Sequence, residues 1–577
     1  MAQRTNSNKN LSVEYDGFEG IDTRANHSGG IQDALNLRIL SDGSLQKRQG
    51  YKCIYSNNYG VRAIWSGIIG GNFSCYFLVL NSVYKLDINT GEANFCAAIV
   101  TSVGKAQFFY FRDALYLTDT KRIYKILDSS AEPIVGYVPL FGKDWGTGYP
   151  GEINEPLNLL HRHARITYKI GEEFSAYLPT LYPVSEIKAV YKNGELLSND
   201  SYVFDERFNT INISGLEAGD ALEVDLTFAD DENDLGTQLL SSPFAYVFGN
   251  INNSRLFMWG GETNNTIFTS TYVSRDSLAE AEKHFPDCGH IYFCADDHFT
   301  VGDGRYSVKA VTRHFDRLLI LTEGDAWIAN SSSNGNEEFP IMNVNSRIGC
   351  SSEGGVISIG NDPVSVGRRA IFRWTSDTDE LNECNAYSIS DGISELLPTS
   401  FFKKAVAYAD DLRGELWFCD PTGDGTAWVY NVKQKAWSRF NNINAEAFFD
   451  ADGNVGFIRN SKIFIFRDEY HADYENVADT VGTPIVASLV SGIIDLESHK
   501  QKRLKNMVLF ADLDGGSLDT QIVTDRGEQI NASLFSKGDY SSYEQRLHSH
   551  RLNSFSFTLV ADGTERQTIH SLKIEAR

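Results

Sequence analysis

Ile31-Gln-Asp-Ala-Leu-Asn-Leu-Arg-Ile-Leu40 runs directly into Ser41-Asp-Gly-Ser-Leu-Gln-Lys-Arg-Gln-Gly-Tyr51 near the start of the chain. In the first segment Leu35, Leu37 and Ile39 alternate with polar neighbours, which is the pattern of a half-buried β-strand. The Asp-Gly pair that follows is a favoured turn dipeptide, and Leu45 lies on the returning segment. The stretch therefore predicts a β-hairpin.

Short β runs separated by Gly, Asn and Asp turns continue this style from about residue 61. Cys75–Leu80 with Ser82–Asp87 is echoed by Ala114–Asp119 with Arg122–Leu127, and each pair ends in a [VI]-Tyr-Lys-[LI] strand. Variants recur at Arg255–Trp259, Arg317–Thr322, Glu415–Cys419, Ala427–Asn431 and Lys462–Phe466. The spacing, roughly 40 residues where nothing is inserted, is that of propeller blades.

We therefore predict an all-β fold built around a β-propeller between about residues 55 and 470, because ring closure protects the strand edges. Six or seven blades fit the pattern, and six are favoured. Two stacked β-sandwiches made from the same hairpins are the alternative. The clearest helical turn in the sequence runs from Leu278 to His284.

Two further β regions flank or interrupt the repeats. The segment from 165 to 228 ends in Gly219-Asp-Ala-Leu-Glu-Val-Asp-Leu-Thr-Phe228 and reads as a compact inserted domain, followed by the acidic run Asp230–Asp234. After about residue 475 the strands lengthen. The predicted organisation is a platform segment (1–54), a first propeller part (55–164), an inserted β domain (165–230), a second propeller part (231–474) and a carboxy-terminal β-sandwich that completes the platform (475–577).

Composition sets broad limits on function. The chain has 577 residues, 42% of them hydrophobic, and 48 Gly against 4 Met suit turn-rich β structure. A net charge of -24 argues against a protein that grips nucleic acid over a broad face, because phosphate neutralisation needs concentrated Lys and Arg. The same charge fits a channel wall that DNA slides past, and it also fits a generic solubility device.

Cysteines and hydropathy give no sign of secretion or of a membrane. The cysteines are too scattered for a disulfide scaffold, so we expect mostly buried free thiols; they are Cys53, Cys75, Cys96, Cys288, Cys294, Cys350, Cys384 and Cys419. The first ten residues have no apolar core, and the longest hydrophobic passages are too short for a membrane span. We expect no membrane insertion.

The densest group of possible metal ligands is His284-Phe-Pro-Asp-Cys288-Gly-His290-Ile-Tyr-Phe-Cys294-Ala-Asp-Asp-His298. Its spacing differs from the paired halves of zinc sites. On a strand, Cys288, His290 and Cys294 would share one face, but steps of roughly 7 Å keep three of them from one ion. Buried thiols beside loop histidines are the favoured interpretation, and no metal or cofactor is predicted.

Other short motifs favour turns over chemistry. Asp450-Ala-Asp452-Gly and Asp512-Leu-Asp514-Gly begin like calcium loops but lack a glutamate at the twelfth position. Gly302-Asp-Gly304-Arg305 reads as a turn, and no nucleophile elbow, Walker motif or zinc-protease motif is present. No catalytic or cofactor-binding residue is assigned, and we expect a protein that is not an enzyme. Because propeller glycosidases use scattered carboxylates, a glycan depolymerase stays an alternative.

Lys500-Gln-Lys-Arg503-Leu-Lys505 is the single compact basic cluster in the sequence. It fits contact with phosphates or an acidic partner, and it fits equally an exposed strand edge protected from aggregation, which is the preferred interpretation.

Three elements of the opening region occur together: Gly20-Ile-Asp-Thr-Arg24, then Ala34-Leu-Asn-Leu-Arg38, then an Asp-Gly turn into Lys47-Arg-Gln-Gly-Tyr51. In this order they resemble the opening of the tail nozzle and packaged-DNA stabilisation (tail hub) proteins of short-tailed bacteriophages. Phe299-Thr-Val-Gly-Asp-Gly-Arg305 with the strand after it, and the Thr524-Asp-Arg-Gly527 turn near the end, resemble the same family. Gln49 departs from the family, in which a proline is frequent before the Gly-Tyr pair.

The resemblance implies a structural virion protein, made in the host cytoplasm and located in the tail. It implies a homohexameric ring below the portal and its adaptor, around a channel through which double-stranded DNA passes without sequence recognition. The amino- and carboxy-terminal segments would face the adaptor, and the propeller or insertion would anchor tail fibres or form the lower rim. A peripheral fibre adaptor or receptor-binding module is the second alternative, beside the depolymerase.

Overall fold

The computed structural model describes residues 3–7, 10–101, 104–145, 153–172, 174, 177–180, 182–229, 235–249, 254–330, 340–375, 386–498 and 500–577. In these ranges strands far outnumber helices, so the all-β prediction is confirmed. No helix among them is long and apolar enough to cross a membrane. Two features named above, the acidic run Asp230–Asp234 and Cys384, lie outside the described residues.

Six strands precede the propeller's first complete blade: β1 (Gln3–Ser7), β2 (Asn10–Tyr15), β3 (Ile31–Leu35), β4 (Leu37–Ile39), β5 (Leu45–Lys47) and β6 (Tyr51–Ser56). A 3₁₀ helix, Thr23–Ser28, lies between β2 and β3. The predicted hairpin is confirmed, since β4 and β5 pair antiparallel and Gly43 turns the chain with a φ of 87°. Leu35, expected on the same strand as Leu37, instead ends β3 in another sheet, because the chain bends at Asn36.

Blades 1 and 2 follow as two four-stranded antiparallel sheets. Their strands are β7 (Val61–Ile69), β8 (Asn72–Val79), β9 (Ser82–Leu86) and β10 (Ala93–Ala98), then β11 (Gln107–Phe111), β12 (Ala114–Thr118), β13 (Ile123–Ile126) and β14 (Ala131–Pro133). Both predicted strand pairs therefore lie inside blades.

The inserted domain has two sheets around its own core. Its strands are β15 (Leu140–Trp145), β16 (Ile153–Asn154), β17 (His163–Ile170), β18 (Tyr177–Pro179), β19 (Val184–Lys192), β20 (Glu195–Leu196), β21 (Tyr202–Asp205), β22 (Thr210–Ile213) and β23 (Ala221–Phe228), with a 3₁₀ helix at Asn199–Ser201. One sheet has the order β16-β15-β17-β23-β19-β20, and the other has the order β18-β22-β21. Leu222, Val224 and Leu226 alternate with more polar residues and are fully buried in the core.

Blades 3 to 6 come after the insertion. Blade 3 contains β24 (Phe244–Phe248), β25 (Arg255–Trp259), β26 (Thr266–Thr269) and β27 (His298–Thr300), and blade 4 contains β28 (Val308–His314), β29 (Arg317–Thr322), β30 (Ala326–Asn330) and β31 (Ile341–Asn345). Blade 5 contains β32 (Val356–Ile359), β33 (Asp362–Val366), β34 (Ile371–Trp374) and β35 (Ala386–Ser388), and blade 6 contains β36 (Val406–Asp410), β37 (Glu415–Cys419), β38 (Ala427–Asn431) and β39 (Ala436–Phe440).

Helices serve as short connections between these strands. α1 (Leu235–Leu240) precedes blade 3, α2 (Arg275–His284) lies between β26 and β27, and a 3₁₀ helix (Asp391–Leu396) and α3 (Phe401–Lys404) join blades 5 and 6. The predicted helical turn at Leu278–His284 is confirmed within α2.

The seventh blade joins distant parts of the chain. Its inner strands are β40 (Ala447–Asp450), β41 (Val455–Arg459) and β42 (Lys462–Phe466), and its outermost strand is β6, which pairs antiparallel with β42. The innermost strands β7, β11, β24, β28, β32, β36 and β40 each contact the next, and β40 contacts β7. The described residues thus form a closed propeller of seven blades. The preference for six blades is wrong, because the seventh blade takes its fourth strand from before the first blade.

Aromatic side chains pack within blade 7 and between blades 6 and 7. The ring of Tyr51 on β6 meets Phe457, Phe464 and Phe466 edge-on at centroid distances of 5.2, 5.3 and 5.4 Å. Trp417 on β37 meets Phe466 at 5.3 Å, which joins blade 6 to blade 7. Such edge-on contacts add to the free energy gained from burying large apolar surfaces.

The platform is a two-sheet sandwich built from both ends of the chain. After a small hairpin, β43 (Ala472–Asp473) and β44 (Thr483–Pro484), its remaining strands are β45 (Ala487–Ser491), β46 (Leu504–Asp512), β47 (Ser517–Thr524), β48 (Gln529–Phe535), β49 (Ser541–Arg546), β50 (Phe555–Ala561) and β51 (Thr568–Ala576). One sheet has the order β1-β2-β51-β46-β49, with the β4–β5 hairpin attached through β5 to β51. The other has the order β3-β45-β50-β47-β48.

Platform and propeller share a continuous core. β3 pairs in parallel with β39, the outermost strand of blade 6, so one platform sheet continues that blade. Leu489 and Leu559 of this sheet, and Leu509 and Leu572 of the facing sheet, belong to the same buried cluster as Leu416 of blade 6. The predicted platform from amino- and carboxy-terminal segments is confirmed. The predicted divisions at 54/55 and 164/165 fall inside β6 and β17.

Candidate functional site

Buried polar residues of the opening region meet where the platform is fastened to the propeller. We call this group the joint; it consists of Asn36, Arg38, Lys47, Arg48, Gly50 and Tyr51. All six are buried, although three carry a charge. Buried charges are tolerated only when they are paired, so their partners show what the joint connects.

Asn36 holds three parts of the chain together. Its backbone bends with a φ of 53°, a left-handed conformation that asparagine tolerates better than most residues. Its backbone N–H donates to the Arg439 carbonyl at 2.7 Å, and its Nδ2 donates to the Val486 carbonyl at 2.7 Å and to Asn441 Oδ1 at 2.9 Å. The side chain therefore connects the outer edge of blade 6 to the start of the platform strand β45.

Arg48 extends this contact to the hairpin of β43. Its Nε donates to Asn36 Oδ1 at 2.9 Å, and its two Nη atoms donate to the two carboxylate oxygens of Asp473 at 2.9 and 2.7 Å. This bidentate geometry is the strongest form of an arginine–carboxylate pair. The guanidinium also lies 5.7 Å from the ring centre of Tyr51.

Arg38 pairs with blade 6 from the β4–β5 hairpin. Its Nε lies 3.1 Å from Glu415 Oε1, and both side chains are almost fully buried. Trp417 Nε1 donates to the other carboxylate oxygen of Glu415 at 3.2 Å. Burial raises the pKa of Glu415 and lowers the pKa of Arg38, because each charge has been removed from water.

Lys47 and Tyr51 complete the polar contacts. Lys47 Nζ donates to the Gly563 carbonyl at 2.7 Å, and burial lowers the pKa of this lysine. The Tyr51 hydroxyl lies 2.7 Å from Glu475 Oε1 and 3.0 Å from the Asn442 carbonyl, and burial raises its pKa.

Close backbone approach explains two glycines. A Cβ on Gly50 would lie 1.9 Å from the Ala472 carbonyl oxygen, which no side chain allows. Gly20 has a φ of +74°, and a Cβ there would lie 2.6 Å from the Trp437 carbonyl oxygen. The N–H of Ile21 donates to that same carbonyl at 2.8 Å. The Gly20–Arg24 segment therefore lies against the outer strand of blade 6.

Gln49, the departure from the family pattern, is buried beside these residues. Neither polar atom of its side-chain amide has a hydrogen-bond partner among the described residues. A buried amide without partners costs about 1–3 kcal/mol of stability. The Gln49 side chain is therefore expected to reduce stability beside the joint.

The joint is suited to mechanical coupling. Arg48 and Lys47 donate hydrogen bonds to a carboxylate and a carbonyl on other elements. Arg38 forms an ion pair with Glu415, although its Nε and Nη2 have no hydrogen-bond partner among the described residues. Together these contacts constrain the orientation of platform and propeller. Sequence reasoning missed the partners Asp473, Glu415 and Glu475. The available signal was Glu415 itself, a carboxylate at the head of the apolar strand Glu415-Leu-Trp-Phe-Cys419.

The cysteines and histidines of the 284–298 window each have separate neighbours. Cys288 Sγ accepts from the Val138 N–H at 3.2 Å, and Cys294 Sγ accepts from Thr271 Oγ1 at 2.9 Å. The nearest polar atoms to the histidines belong to other residues: Arg165 beside His284, Arg112 beside His290 and the Ala295 carbonyl beside His298. The segment 289–297 contains no strand. Among described residues no cluster of three or more His, Cys, Asp or Glu could hold a metal ion.

The remaining sequence candidates lie in turns or on the platform. Asp450 Oδ1 accepts from the Gly453 N–H at 2.9 Å between β40 and β41, and Asp512 Oδ1 accepts from the Asp514 N–H at 3.1 Å between β46 and β47. Gly302–Arg305 is a turn between β27 and β28. In the basic cluster Lys502 is buried and donates to backbone carbonyls, while Lys500, Arg503 and Lys505 are exposed.

A cleft of about 840 Å³ lies between the inserted domain and α1. His161, Tyr182, Phe228 and Leu235 are among its lining residues. Burial, together with nearby His163, lowers the pKa of His161 to about 4, so this ring is neutral at physiological pH. The lining is mixed polar and apolar, and Asp296 is the one carboxylate residue among its described members.

Three solved structures are similar to this chain at low sequence identity and low TM-score. A chain in a crystal structure of the mitotic checkpoint complex is 8% identical, with 76% of this chain and 95% of that chain covered at a TM-score of 0.32. The WD40 domain of Neurospora crassa Pan2 is 7% identical, with 74% and 96% covered at 0.33. A glycoside hydrolase is 10% identical, with 91% and 98% covered at 0.23.

No protein-family model matches the sequence, and no curated protein matches it. At these identities and TM-scores the structural neighbours carry no argument about function. The propeller architecture itself follows from the closed ring of seven sheets.

Proposed function

We propose that this chain is a structural subunit of a short-tailed phage tail, the nozzle ring below the portal and adaptor. Six copies surround a channel that retains the packaged genome and passes double-stranded DNA at infection. The protein is made in the host cytoplasm, functions in the virion and carries out no covalent chemistry. It needs no cofactor.

The joint is the observation that carries this proposal. Two motifs that resemble the nozzle family, Ala34–Arg38 and Lys47–Tyr51, supply its residues, and the third, Gly20–Arg24, lies against the outer strand of blade 6. The joint connects a propeller to a platform made from both ends of the chain. A subunit that holds a pressurised genome needs such rigid coupling between its attachment surface and its body. The residues that carry the resemblance therefore have a structural role that suits a nozzle subunit, which is to hold the platform rigidly on the propeller.

Contacts at the central axis of the propeller favour a DNA channel that lies between the subunits of the ring over one that runs through each propeller. Lys105 precedes the innermost strand of blade 2, and Glu353 precedes the innermost strand of blade 5. The two side chains form an ion pair that crosses one end of the central axis. The proposed DNA channel therefore lies at the centre of the ring of subunits, where the net charge of -24 repels phosphates and prevents sticking.

Exposed aromatic and aliphatic side chains support contacts with other subunits. On the platform Phe535 is 68% exposed, at the end of the edge strand β48. On the inserted domain Tyr177 and Val203 are 60% and 65% exposed and flank Asn212 in one row of a three-stranded sheet. We assign the platform side to the adaptor and neighbouring copies, and the insertion to fibre or rim contacts.

The proposal is tested by the oligomeric state of the purified protein. Electron micrographs and mass photometry at micromolar concentration are expected to show six-copy rings, alone or assembled on the adaptor. Phe535→Asp is expected to weaken ring formation, whereas Phe208→Asp, at an equally exposed position of the insertion, leaves it unchanged.

Three outcomes would contradict the nozzle assignment. A monodisperse monomer that does not assemble on the connector removes the ring. Binding of that monomer to host cells favours a peripheral fibre adaptor or receptor-binding module. Release of reducing ends from bacterial polysaccharide favours a depolymerase.

A further inference from the structure

Lysines gather at one end of the propeller axis. We call this region the mouth; it consists of residues at or just before the innermost strands of blades 2, 4, 5 and 6, namely Lys105, Lys309, Glu353, Lys403 and Lys404. None of them belongs to the joint, and only Lys309 lies in a segment that carries the family resemblance.

A cavity of about 390 Å³ lies at the mouth between blades 4, 5 and 6. Lys309, Glu353, Lys403 and Lys404 line it, together with Ser351. The Oγ of Ser351 is buried and has no hydrogen-bond partner among the described residues. A concave, partly desolvated site concentrates the field of its charges, so these lysines act together on a small ligand.

Carboxylates at the mouth are too few for the lysines. Glu353 is shared, because it pairs with Lys105 and lies 3.8 Å from Lys309. Lys309 also lies 3.2 Å from Glu323. Among the described residues Lys404 donates to a neutral group, Thr422 Oγ1, at 2.9 Å, and that hydroxyl in turn donates to Asp420 at 3.0 Å. Four lysines against Glu323, Glu353 and Asp420 leave a net charge of about +1 in a protein whose overall charge is -24.

We propose that the mouth binds a small multivalent oxyanion, which takes the place of the Glu353 carboxylate among the lysines. An oxyanion with several acceptor oxygens satisfies more ammonium groups at once than one carboxylate does, and such charge-assisted hydrogen bonds are the strong ones. Ser351 Oγ supplies an additional donor. Binding competes with the Lys105–Glu353 pair and so loosens the tie across the axis.

Isothermal titration calorimetry with pyrophosphate, on the full-length protein at low salt, tests this site. Lys403→Gln with Lys404→Gln is expected to weaken binding about tenfold for each lysine removed. The matched control is Lys433→Gln with Lys435→Gln, which removes the same charge from an exposed turn of the same blade. The control is expected to change the affinity by less than about threefold.

Glu353→Gln is expected to change the affinity for pyrophosphate in the opposite direction. This variant keeps the test informative if the lysine variant folds poorly. It removes the competing carboxylate, so pyrophosphate is expected to bind several times more tightly. Absence of pyrophosphate binding at millimolar concentration would overturn the proposal. So would equal weakening in the control pair, or weaker binding by Glu353→Gln. Ring formation is measured separately, so this result and the nozzle assignment succeed or fail independently.

Discussion

The joint and the mouth use the same chemistry in different surroundings. At the joint the Arg48 and Asp473 side chains are 1% and 6% exposed, whereas at the mouth Lys105 and Glu353 are 58% and 33% exposed. A buried pair cannot exchange partners without leaving a charge in a low-dielectric interior. An exposed pair exchanges readily with water, salt or a ligand. The comparison teaches that the burial of an ion pair, more than the residue types that form it, decides whether the pair holds two elements together or can exchange with a ligand.

Arg48→Ala should give the largest effect. It leaves Asp473 buried and unpaired and removes the contact with Asn36, so we expect the free energy of unfolding to fall by about 3–5 kcal/mol. Urea denaturation followed by tryptophan fluorescence measures the change. Arg305→Ala is the control, because its pair with Asp303 is largely exposed and should contribute less than about 1 kcal/mol. Equal losses in both variants would contradict the distinction.

Gly50→Ala tests the backbone approach at the joint. Its Cβ would meet the Ala472 carbonyl oxygen, so a loss of about 1–3 kcal/mol is expected from the forced shift of β43. Gly60→Ala, which has nothing within 4 Å, should be close to neutral. Thermal unfolding of the two variants in parallel makes the comparison, and a neutral Gly50→Ala would show that the two segments separate easily.

Gln49→Leu is expected to stabilise the protein by about 1 kcal/mol, since it removes a buried amide without partners. Gln46→Leu is expected to destabilise the protein instead, because the amide of Gln46 is hydrogen-bonded to Thr568 and Arg566. Chemical denaturation measures both. A destabilised Gln49→Leu would mean that the amide has an energetic role in the joint.

Glu353→Gln should change stability least, by less than about 1 kcal/mol, because the pair at the mouth is exposed. Raising the salt concentration to about 1 M should remove even this difference, since the screening length then falls to about 3 Å. The loss caused by Arg48→Ala should persist in the same salt. Unfolding curves at both salt concentrations test this, and a salt-insensitive Glu353→Gln effect would place the mouth with the joint.

Local patterns were sufficient to predict most of the propeller. The alternating or apolar runs Arg255–Trp259, Arg317–Thr322, Glu415–Cys419 and Lys462–Phe466 are strands with those same bounds. Each strand pairs with its sequence neighbour, so residues close in sequence carry the whole signal. The Asp42-Gly43 turn is confirmed for the same reason.

Long-range pairings could not be predicted in this way. Arg48 and Asp473 lie 425 positions apart, and neither sequence context identifies the other. Six blades were favoured over seven because β6 reads as a continuation of the hairpin before it, although its partner β42 lies at the far end of the propeller. The mouth could not be predicted for the same reason, since its four lysines belong to three different blades and Glu353 belongs to a fourth.

The pairing of β6 with β42 also sets the order in which the protein can be assembled. During synthesis β6 emerges first, and it must wait until residue 466 has left the ribosome before its partner exists. Until then β6 lacks its partner strand, and a nascent chain of this kind depends on slow, non-local closure. The ring therefore closes only after every blade has been made, and the platform strand β51 follows later still.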